Sequence, residues 1–461
     1  MNKIVLFIFL TFVFQAFANV HLPAIFTDHM VLQRNAEVNI WGNAEPNEEI
    51  TLKADFLDKE IKVKANSEAK FKITFNTPKE GGPYTIILKG YNEVVLKDVL
   101  LGEVWLMSGQ SNMEMSASWG IQNGDEEVAK ANYPQLRFFK VNKSSADAPQ
   151  QNLTGNWEVC TPESMKQMSA VGYFFARKLL QDLKDVPVAI IVSAWGGTAA
   201  ELWTPKEIFE KNKDLEVSFM KFPPSEYYPI KTSVAYNAMI APINDFKIAG
   251  AAWYQGETNT GNYGTYDKLM TNMIQSWREK KGYDFPFYII QIAPYSYWED
   301  SGAKIRNIQR LIAQNTQKSG LVITADVSTP DNIHPKNKKP VGERLANLVL
   351  KDVYQKNVGL VNSPQIKNIE VKGNVVLLNL EYSEGLHFLN KESRLFEVAD
   401  KDGKFFPAKA IIEKNTIKVS AKEVKNPIFV RYSFSNTAIP DVFNQSGLPL
   451  STFEIKNNQL R

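Results

Sequence analysis

The chain has 461 residues, more than one ordinary hydrophobic core accommodates, so two or three domains are expected. Hydrophobic residues make up 44% and charged residues 22% of the chain, which excludes bulk disorder. The 53 basic and 50 acidic side chains give a formal net charge of +3. This balance gives no indication of a polyanion-binding surface, so nucleic acid is not expected as a partner.

The beginning of the chain, residues 1–18, has the pattern of a secretion signal. Lys3 gives the positive start, residues 4–14 form an apolar run, and Ala16-Phe17-Ala18 fits a cleavage site of small residues. The apolar run is too short to span a bilayer, and no later stretch reaches the necessary length. We therefore expect an exported protein, periplasmic or extracellular, without a membrane span. The single cysteine, Cys160, cannot form an internal disulfide and is expected to be buried.

The first region, residues 19–98, shows the alternation of short β-strands. Turn residues separate the strands, which predicts a small antiparallel β-sandwich. We assign no chemistry to this region. Its predicted strands cover residues 38–41, 50–52, 61–63 and 71–75.

Strands and helices alternate in the second region, residues 99–355, which predicts a three-layer α/β domain with a parallel sheet. The predicted helices cover 171–183, 266–277, 304–316 and 341–354, and the predicted strands cover 104–107, 188–192, 248–254, 287–292 and 321–326. In the third region, residues 356–461, the β pattern returns and predicts a second β domain. Its strands are expected at 375–380, 394–398, 411–412, 417–419 and 428–432.

Ligands of an open parallel sheet bind beyond the carboxyl ends of its strands, so functional residues are expected in the loops that follow the strands. The first of them, Gly109-Gln110-Ser111-Asn112-Met113, follows the strand at 104–107. A nucleophile must be exposed at the end of a rigid element, and a strand that ends in glycine exposes Ser111 in this way. The alternative interpretation is a polar turn in which Ser111 or Asn112 caps a helix.

Two further loops carry groups that could stabilise an oxyanion. The glycines of Trp195-Gly196-Gly197-Thr198 let a backbone N–H approach a ligand closely. The loop Gln255-Gly256-Glu257-Thr258-Asn259 offers amide side chains as donors. Each loop also has an ordinary interpretation, the first as a strand-to-helix turn and the second as a capped helix start.

A fourth loop, Asp331-Asn332-Ile333-His334, supplies a base. An aspartate in this position can hold His334 in one tautomer while the other ring nitrogen faces the serine. The other three histidines, His21, His29 and His387, fall in the β regions, so His334 is the one base candidate in the α/β region. A simple surface turn remains the alternative interpretation of this loop.

Taken together, these motifs resemble the SGNH hydrolase superfamily and, more closely, its sialate O-acetylesterase family. The resemblance covers most of the mature chain. It is carried by several motifs in order: residues 22–33, Trp41-Gly42, Gly102-Glu103-Val104-Trp105, Gly109-Gln110-Ser111-Asn112-Met113, Trp195-Gly196-Gly197-Thr198, Tyr254-Gln255-Gly256-Glu257, Asp331-Asn332-Ile333-His334-Pro335 and Asn444-Gln445-Ser446-Gly447-Leu448-Pro449. It implies an SGNH, flavodoxin-like catalytic domain flanked by an N-terminal and a C-terminal β-sandwich domain.

The resemblance implies that Ser111 is the nucleophile, His334 the base and Asp331 the residue that orients the base. It also implies an oxyanion hole made by the N–H of Ser111, an N–H of Gly197 or Gly196, and a side-chain amide. Where the superfamily has the pattern Gly-x-Asn-Asp, this chain has Gly256-Glu257-Thr258-Asn259, with threonine in place of the asparagine. Gln255 is therefore favoured as the amide donor, with Asn259 as the second candidate.

The implied reaction is removal of O-acetyl groups from sialic acids through an acetyl-serine intermediate, with no cofactor and no metal. Deacetylation of xylan or another polysaccharide is an alternative, because the same groups serve any acetylated sugar. A secreted carbohydrate-binding protein with an inactive hydrolase-like core is the other alternative. An arginine near the site would suit a sialic acid carboxylate; the candidates are Arg177, Arg278, Arg306, Arg310 and Arg344. The sequence does not separate these five arginines, nor does it fix the oligomeric state.

Overall fold

The computed structural model describes residues 19–457, so the predicted secretion signal lies outside the described residues. The β-strands of the first two regions are β1 (Val31–Gln33), β2 (Glu37–Asn43), β3 (Glu49–Ala54), β4 (Ile61–Lys64), β5 (Lys70–Asn76), β6 (Gly81–Lys89), β7 (Glu93–Gly109), β8 (Tyr133–Val141), β9 (Gly155–Cys160), β10 (Val188–Ala194), β11 (Gly250–Tyr254), β12 (Phe287–Ile290) and β13 (Ser319–Val322). The α-helices are α1 (Ser111–Glu114), α2 (Gly124–Ala129), α3 (Pro162–Gln167), α4 (Ala170–Leu183), α5 (Lys206–Lys211), α6 (Lys213–Phe219), α7 (Tyr266–Lys281), α8 (Ser301–Asn315) and α9 (Lys339–Asp352).

The remaining strands lie after α9. They are β14 (Gln365–Lys372), β15 (Val375–Glu381), β16 (His387–Phe388), β17 (Phe396–Ala399), β18 (Phe406–Pro407), β19 (Lys409–Glu413), β20 (Thr416–Ser420), β21 (Phe429–Tyr432), β22 (Val442–Phe443) and β23 (Phe453–Lys456). They form two four-stranded antiparallel sheets, ordered β14-β15-β20-β19 and β18-β17-β21-β23, and β16 pairs with β22. This part of the chain has a hydrophobic core of its own.

The central sheet has the strand order β13-β12-β11-β7-β10-β8-β9. All neighbours are parallel except β8 and β9, which are antiparallel, so the sheet is mixed at one edge. In the register, Gly109 at the end of β7 is aligned with Ala194 of β10 on one side and Tyr254 of β11 on the other. The loops that follow these three strands therefore begin at the same edge of the sheet.

Helices cover both faces of this sheet because successive side chains of each buried strand point in opposite directions. Trp105 and Met107 of β7 pack in a core with α4 and α9. Val104 and Leu106 pack on the other face, in a core that includes apolar side chains of α7 and α8. The resulting three-layer arrangement agrees with the α/β prediction for this region.

Strand β7 links the first β region to the central sheet. Its first half pairs with β6, antiparallel, and with β1, parallel, and its second half pairs with β10 and β11. The strand passes without a break through position 98, and β1, β3, β4 and β6 belong to the same 11-stranded sheet. A long strand, continuously buried from Val99 onward, thus carries the chain to Ser111.

Most of the predicted elements are confirmed, with shifts of a few residues at their ends. Strands β8 and β9 were not predicted, and the strand expected at 321–326 is β13, which ends at Val322 and is followed by a 3₁₀ turn at Ala325–Val327. Cys160 is buried, as expected, and burial raises the pKa of its thiol to about 12. Across residues 19–457, no helix combines the length and apolar character needed to cross a membrane.

Candidate active site

The nucleophile turn lies where β7 meets its two neighbours. Gly109 has a φ of +137°, and a Cβ atom there would lie 2.2 Å from the carbonyl oxygen of Tyr254, so only glycine fits. The next N–H, that of Gln110, donates to this same oxygen at 3.0 Å. Ser111 follows as the first residue of α1 and is half-buried. The turn is thus fixed to β11 immediately before the serine.

Ser111 and His334 are in hydrogen-bond contact. The Nε2 atom of His334 lies 2.8 Å from the Oγ atom of Ser111. The loop that carries the histidine is held in two places: the His334 N–H donates to Asn332 Oδ1 at 2.9 Å, and Asn112 Nδ2 donates to the Ile333 carbonyl at 2.9 Å. With its proton on Nδ1, the imidazole accepts the Ser111 hydroxyl proton at Nε2, as a general base must.

The environment of His334 favours its neutral form. Burial lowers its pKa below the ordinary 6.5, and the positive charge of Lys338 lowers it further. The indole of Trp119 packs edge-on against the imidazole, with ring centres 6.0 Å apart. A neutral imidazole beside a hydroxyl is the protonation state that a base requires.

Asp331 lies in the same loop, three residues before His334, and its side chain is exposed. Within residues 19–457, no hydrogen bond or ion pair joins its carboxylate to another group, and none engages His334 Nδ1. The structure therefore brings Ser111 and His334 together, while the described part of the chain offers no partner to Asp331 or to Nδ1.

The residues predicted for the oxyanion hole divide into two groups. The N–H groups of Ser111 and Gly197 donate no hydrogen bond to any part of the chain that the structure describes. The N–H of Gly196, in contrast, donates to Glu114 Oε2 at 2.8 Å. A Cβ atom at Gly196 would lie 3.4 Å from the Cβ of Ser111, so this loop packs directly against the serine.

The side-chain amides of Gln255 and Asn259 are fully buried and already donate within the protein. Gln255 Nε2 donates to Asn259 Oδ1 at 2.7 Å and to the Thr198 carbonyl at 3.3 Å. Asn259 Nδ2 donates to Glu201 Oε2 and Asn262 Oδ1, both at 2.9 Å, and its Oδ1 accepts from the N–H of Ala200. These contacts fix the loop Trp195-Gly196-Gly197-Thr198, called the glycine loop below.

Several polar residues beside the site were not identified from the sequence. Glu114 accepts the Gly196 N–H and pairs with Lys143, at 2.6 Å between Oε1 and Nζ. Lys338 and Glu257 are buried on either side of Asn112. Glu257 belongs to the motif Tyr254-Gln255-Gly256-Glu257, but the sequence indicates no role for it. Nothing in the local sequence distinguishes Lys338 from the other lysines near it.

The five candidate arginines all contact other groups. Arg177 pairs with Glu127, and Arg344 pairs with Asp326. Arg278 and Arg306 donate to backbone carbonyls, and Arg310 donates to Asn307 and Gln314. Among residues 19–457, neither Ser111 nor His334 forms a hydrogen bond with any of them. The same part of the chain holds no group of three or more His, Cys, Asp or Glu side chains arranged to bind a metal ion.

Comparison with known proteins shows the family of the chain. Residues 101–351 match the family model described as carbohydrate esterase, sialic acid-specific acetylesterase. The chain belongs to this carbohydrate esterase family. Membership makes carboxylic ester hydrolysis the reaction class of the chain, and Ser111, Gly197, Gln255 and His334 lie within the matched residues.

Individual relatives resemble the chain over four fifths or more of their length. It is 29% identical to the human sialate O-acetylesterase over 430 residues, which cover 82% of this chain and 80% of that protein. The mouse sialate O-acetylesterase is 27% identical over 450 residues, with 83% of each chain covered. The crystal structure of a carbohydrate acetylesterase from Xanthomonas citri superimposes with a TM-score of 0.86 at 32% identity, covering 95% of this chain and 99% of that one. The architecture of the esterase therefore matches over both β regions as well as the central sheet.

Proposed function

We propose that this esterase is an exported serine enzyme that removes O-acetyl groups from sialic acids. The observation that carries the proposal is the contact between Ser111 and His334 at the carboxyl ends of β7 and its neighbours, in a chain of a carbohydrate esterase family. Export rests on the secretion-signal pattern of residues 1–18 and localises the enzyme to the periplasm or the exterior. The presence of both serine and histidine argues against an inactive binding protein.

The proposed reaction has two acyl-transfer steps. Ser111 Oγ attacks the acetyl carbonyl carbon while His334 Nε2 takes the hydroxyl proton. The tetrahedral intermediate collapses, the bond between the carbonyl carbon and the sugar oxygen breaks, and His334 returns its proton to that oxygen. Water, deprotonated by His334, then attacks the acetyl-Ser111 ester, and acetate leaves as the proton returns to Ser111 Oγ.

For the oxyanion hole we propose the backbone N–H groups of Ser111 and Gly197 as direct donors. Both are free of protein acceptors in the described residues, as donors to a developing oxyanion need to be. Gly196, Gln255 and Asn259 then shape the hole. Their donors hold the glycine loop against Ser111 through Glu114, Thr198 and the Asn259 network.

Asp331 is the proposed partner of His334 Nδ1. Its carboxylate and the Nδ1 atom belong to one short loop, and both lack a hydrogen-bond partner in residues 19–457. Catalytic hydrogen bonds often form fully only when substrate is bound. A side-chain rotation of Asp331 would complete the Ser-His-Asp arrangement and hold the proton on Nδ1.

The chain is proposed to consist of three domains. We assign residues 19–98 to an N-terminal β-sandwich domain, 99–355 to the catalytic domain and 356–461 to a C-terminal β domain. The separate core of the last region supports its assignment as a unit.

One observation favours a second candidate substrate, an acetylated neutral polysaccharide such as xylan. A sialic acid carboxylate is best met by an arginine, yet the five candidate arginines contact other groups. A neutral sugar requires no such cation at the site.

Acetate release from three substrates separates these functions: 9-O-acetylated sialic acid, acetylated xylan and an aryl acetate. Turnover of the sialate that is lost in Ser111→Ala supports the full proposal. Turnover of xylan or aryl acetate alone retains the serine esterase and replaces the sialate with a neutral sugar. Inactivity of the wild-type protein on all three would contradict the proposal and favour the carbohydrate-binding protein.

A further inference from the structure

The side chain of Asn112, next to the nucleophile, joins three loops of the active site. It is fully buried, and its Nδ2 atom donates to Glu257 Oε1 at 2.6 Å and to the Ile333 carbonyl at 2.9 Å. Its Oδ1 atom accepts from Lys338 Nζ at 2.6 Å. One amide therefore connects the serine turn with the loop after β11 and with the chain on both sides of His334.

The two groups on either side of this amide are charged residues without access to solvent. Lys338 is 1% exposed and Glu257 is 5% exposed. Burial lowers the pKa of Lys338 to about 7 and raises that of Glu257, while the charge of each group favours the ionised form of the other. An uncompensated buried ion is strongly destabilising, so the two groups depend on each other.

The charge of Lys338 acts on the catalytic base. It lies four positions after His334, and it is the cation that lowers the pKa of that imidazole. The titratable or charged residues on the segments that hold His334 and Ser111 include Glu257 beyond Asn112, Glu114 of α1, and the exposed Asp331 and Lys336 of the His334 loop. Of these, Glu257 is the one whose charge partly neutralises Lys338.

We propose that Lys338 and Glu257, bridged by Asn112, are positioning residues that fix the His334 loop to the nucleophile turn and set the charge that His334 experiences. This inference rests on the proposed function, in which His334 is the base. Neither residue touches the reacting atoms. They act through the geometry and the protonation of His334, so their effect is visible in the pH dependence of the reaction.

The two substitutions are expected to have the same effect, because each removes the cation near His334. Lys338→Met removes it directly, so the acid limb of kcat/KM moves to higher pH. Glu257→Gln keeps an acceptor for Asn112 Nδ2 but removes the charge that favours the ionised form of Lys338, so Lys338 loses its proton and the limb again moves to higher pH. Each shift is expected to change the apparent proton dissociation constant by about threefold or more, given an effective dielectric constant of ~20. The double variant is expected to shift no further than either single variant.

The experiment is the pH profile of aryl acetate hydrolysis for the wild type, both single variants and the double variant. Lys281→Met is the matched control, because burial also lowers the pKa of Lys281 to about 7 and its Nζ donates to the carbonyls of Ile243, Asn244 and Phe246, at a distance from the site. The control is expected to lose thermal stability and keep the acid limb of the wild type.

Acid limbs of the folded single variants that stay at the wild-type pH or move to lower pH would overturn the inference. If Lys338→Met does not fold, NMR titration of His334 in the wild type and Glu257→Gln provides the test, with the His334 signal assigned from its loss in His334→Ala. A His334 pKa that does not rise in Glu257→Gln overturns the inference. Full activity of Ser111→Ala or His334→Ala is a different result, because it would remove the proposed function itself.

Discussion

The Nε2 atom of His334 lies 2.8 Å from the Oγ atom of Ser111, although the two residues are 223 positions apart in the sequence. The central sheet produces this contact. Ser111 follows the end of β7, and His334 comes from the loop between β13 and α9, which is tied to the serine turn through Asn112. The contact makes the serine hydroxyl a candidate nucleophile with its base already in place.

Asp331→Asn tests the third member of the proposed catalytic group. The amide cannot hold the Nδ1 proton as a carboxylate does, so kcat is expected to fall on the order of 10²- to 10⁴-fold. Because Asp331 is exposed, the melting temperature is expected to stay unchanged. Steady-state kinetics and thermal unfolding of the same preparation make the comparison. A kcat within about threefold of wild type would leave Ser111 and His334 as a pair without an orienting acid.

The pH profile of the wild type reports on His334. Burial and the charge of Lys338 lower its pKa, so the acid limb of kcat/KM is expected at a pH below 6.5. As the pH falls through the pKa of His334, the imidazole becomes protonated and the neutral base is lost. The unfolded chain binds the proton more readily than the folded one, so stability also decreases as the pH falls through the same range. An acid limb at or above 6.5 would contradict this account of the site.

Gly109→Ala tests the fixed geometry of the nucleophile turn. A φ of +137° and a Cβ atom 2.2 Å from a backbone oxygen leave no room for alanine. We expect a loss of about 1–3 kcal/mol in the free energy of unfolding, together with reduced activity. Chemical denaturation measures the change. Gly264→Ala is the control, since no atom lies within 4 Å of a Cβ there. Equal stability of the two variants would show that the turn is not constrained.

Trp119 is expected to contribute to sugar binding. It is 44% exposed and packs edge-on against His334, so its free surface borders the reacting groups. Trp119→Ala is expected to raise KM for an acetylated sugar about fivefold, which corresponds to a stacking contribution of ~1 kcal/mol, with little change for a small alkyl acetate. Trp298→Ala, which removes a side chain that is 80% exposed, is the control. Equal losses on both substrates would argue against a stacking role.

The sequence predicts the parts of this fold that depend on local pattern. The continuous apolar run of β10 and the amphipathic α4, α7, α8 and α9 are identifiable because burial of their faces imposes a period. Strands β8 and β9 carry a mixed pattern at the edge of the sheet, and the extension of β7 through position 98 depends on partners on both sides. Such features follow from tertiary pairing, which no local window contains.

The same distinction applies to the site. Ser111 and His334 stand in recognisable motifs and in loops that the order of the strands brings together. The use of the Gly196 N–H by Glu114, and of both amide hydrogens of Gln255 by Asn259 and Thr198, depends on side-chain packing between loops. Lys338 and Glu257 were not predicted for a related reason. Their contacts with Asn112 depend on burial beside it, which their spacing in the sequence does not reveal.

The most direct measurement for the central claim is detection of the acetyl-enzyme. Wild-type protein is mixed with an aryl acetate, quenched rapidly in acid and digested, and the peptide that contains Ser111 is examined by mass spectrometry. The account predicts one added acetyl group on Ser111, absent in Ser111→Ala, together with loss of acetate release in that variant. Acetate release by a folded Ser111→Ala protein at the wild-type rate, or acetylation at another residue of the active enzyme, would contradict it.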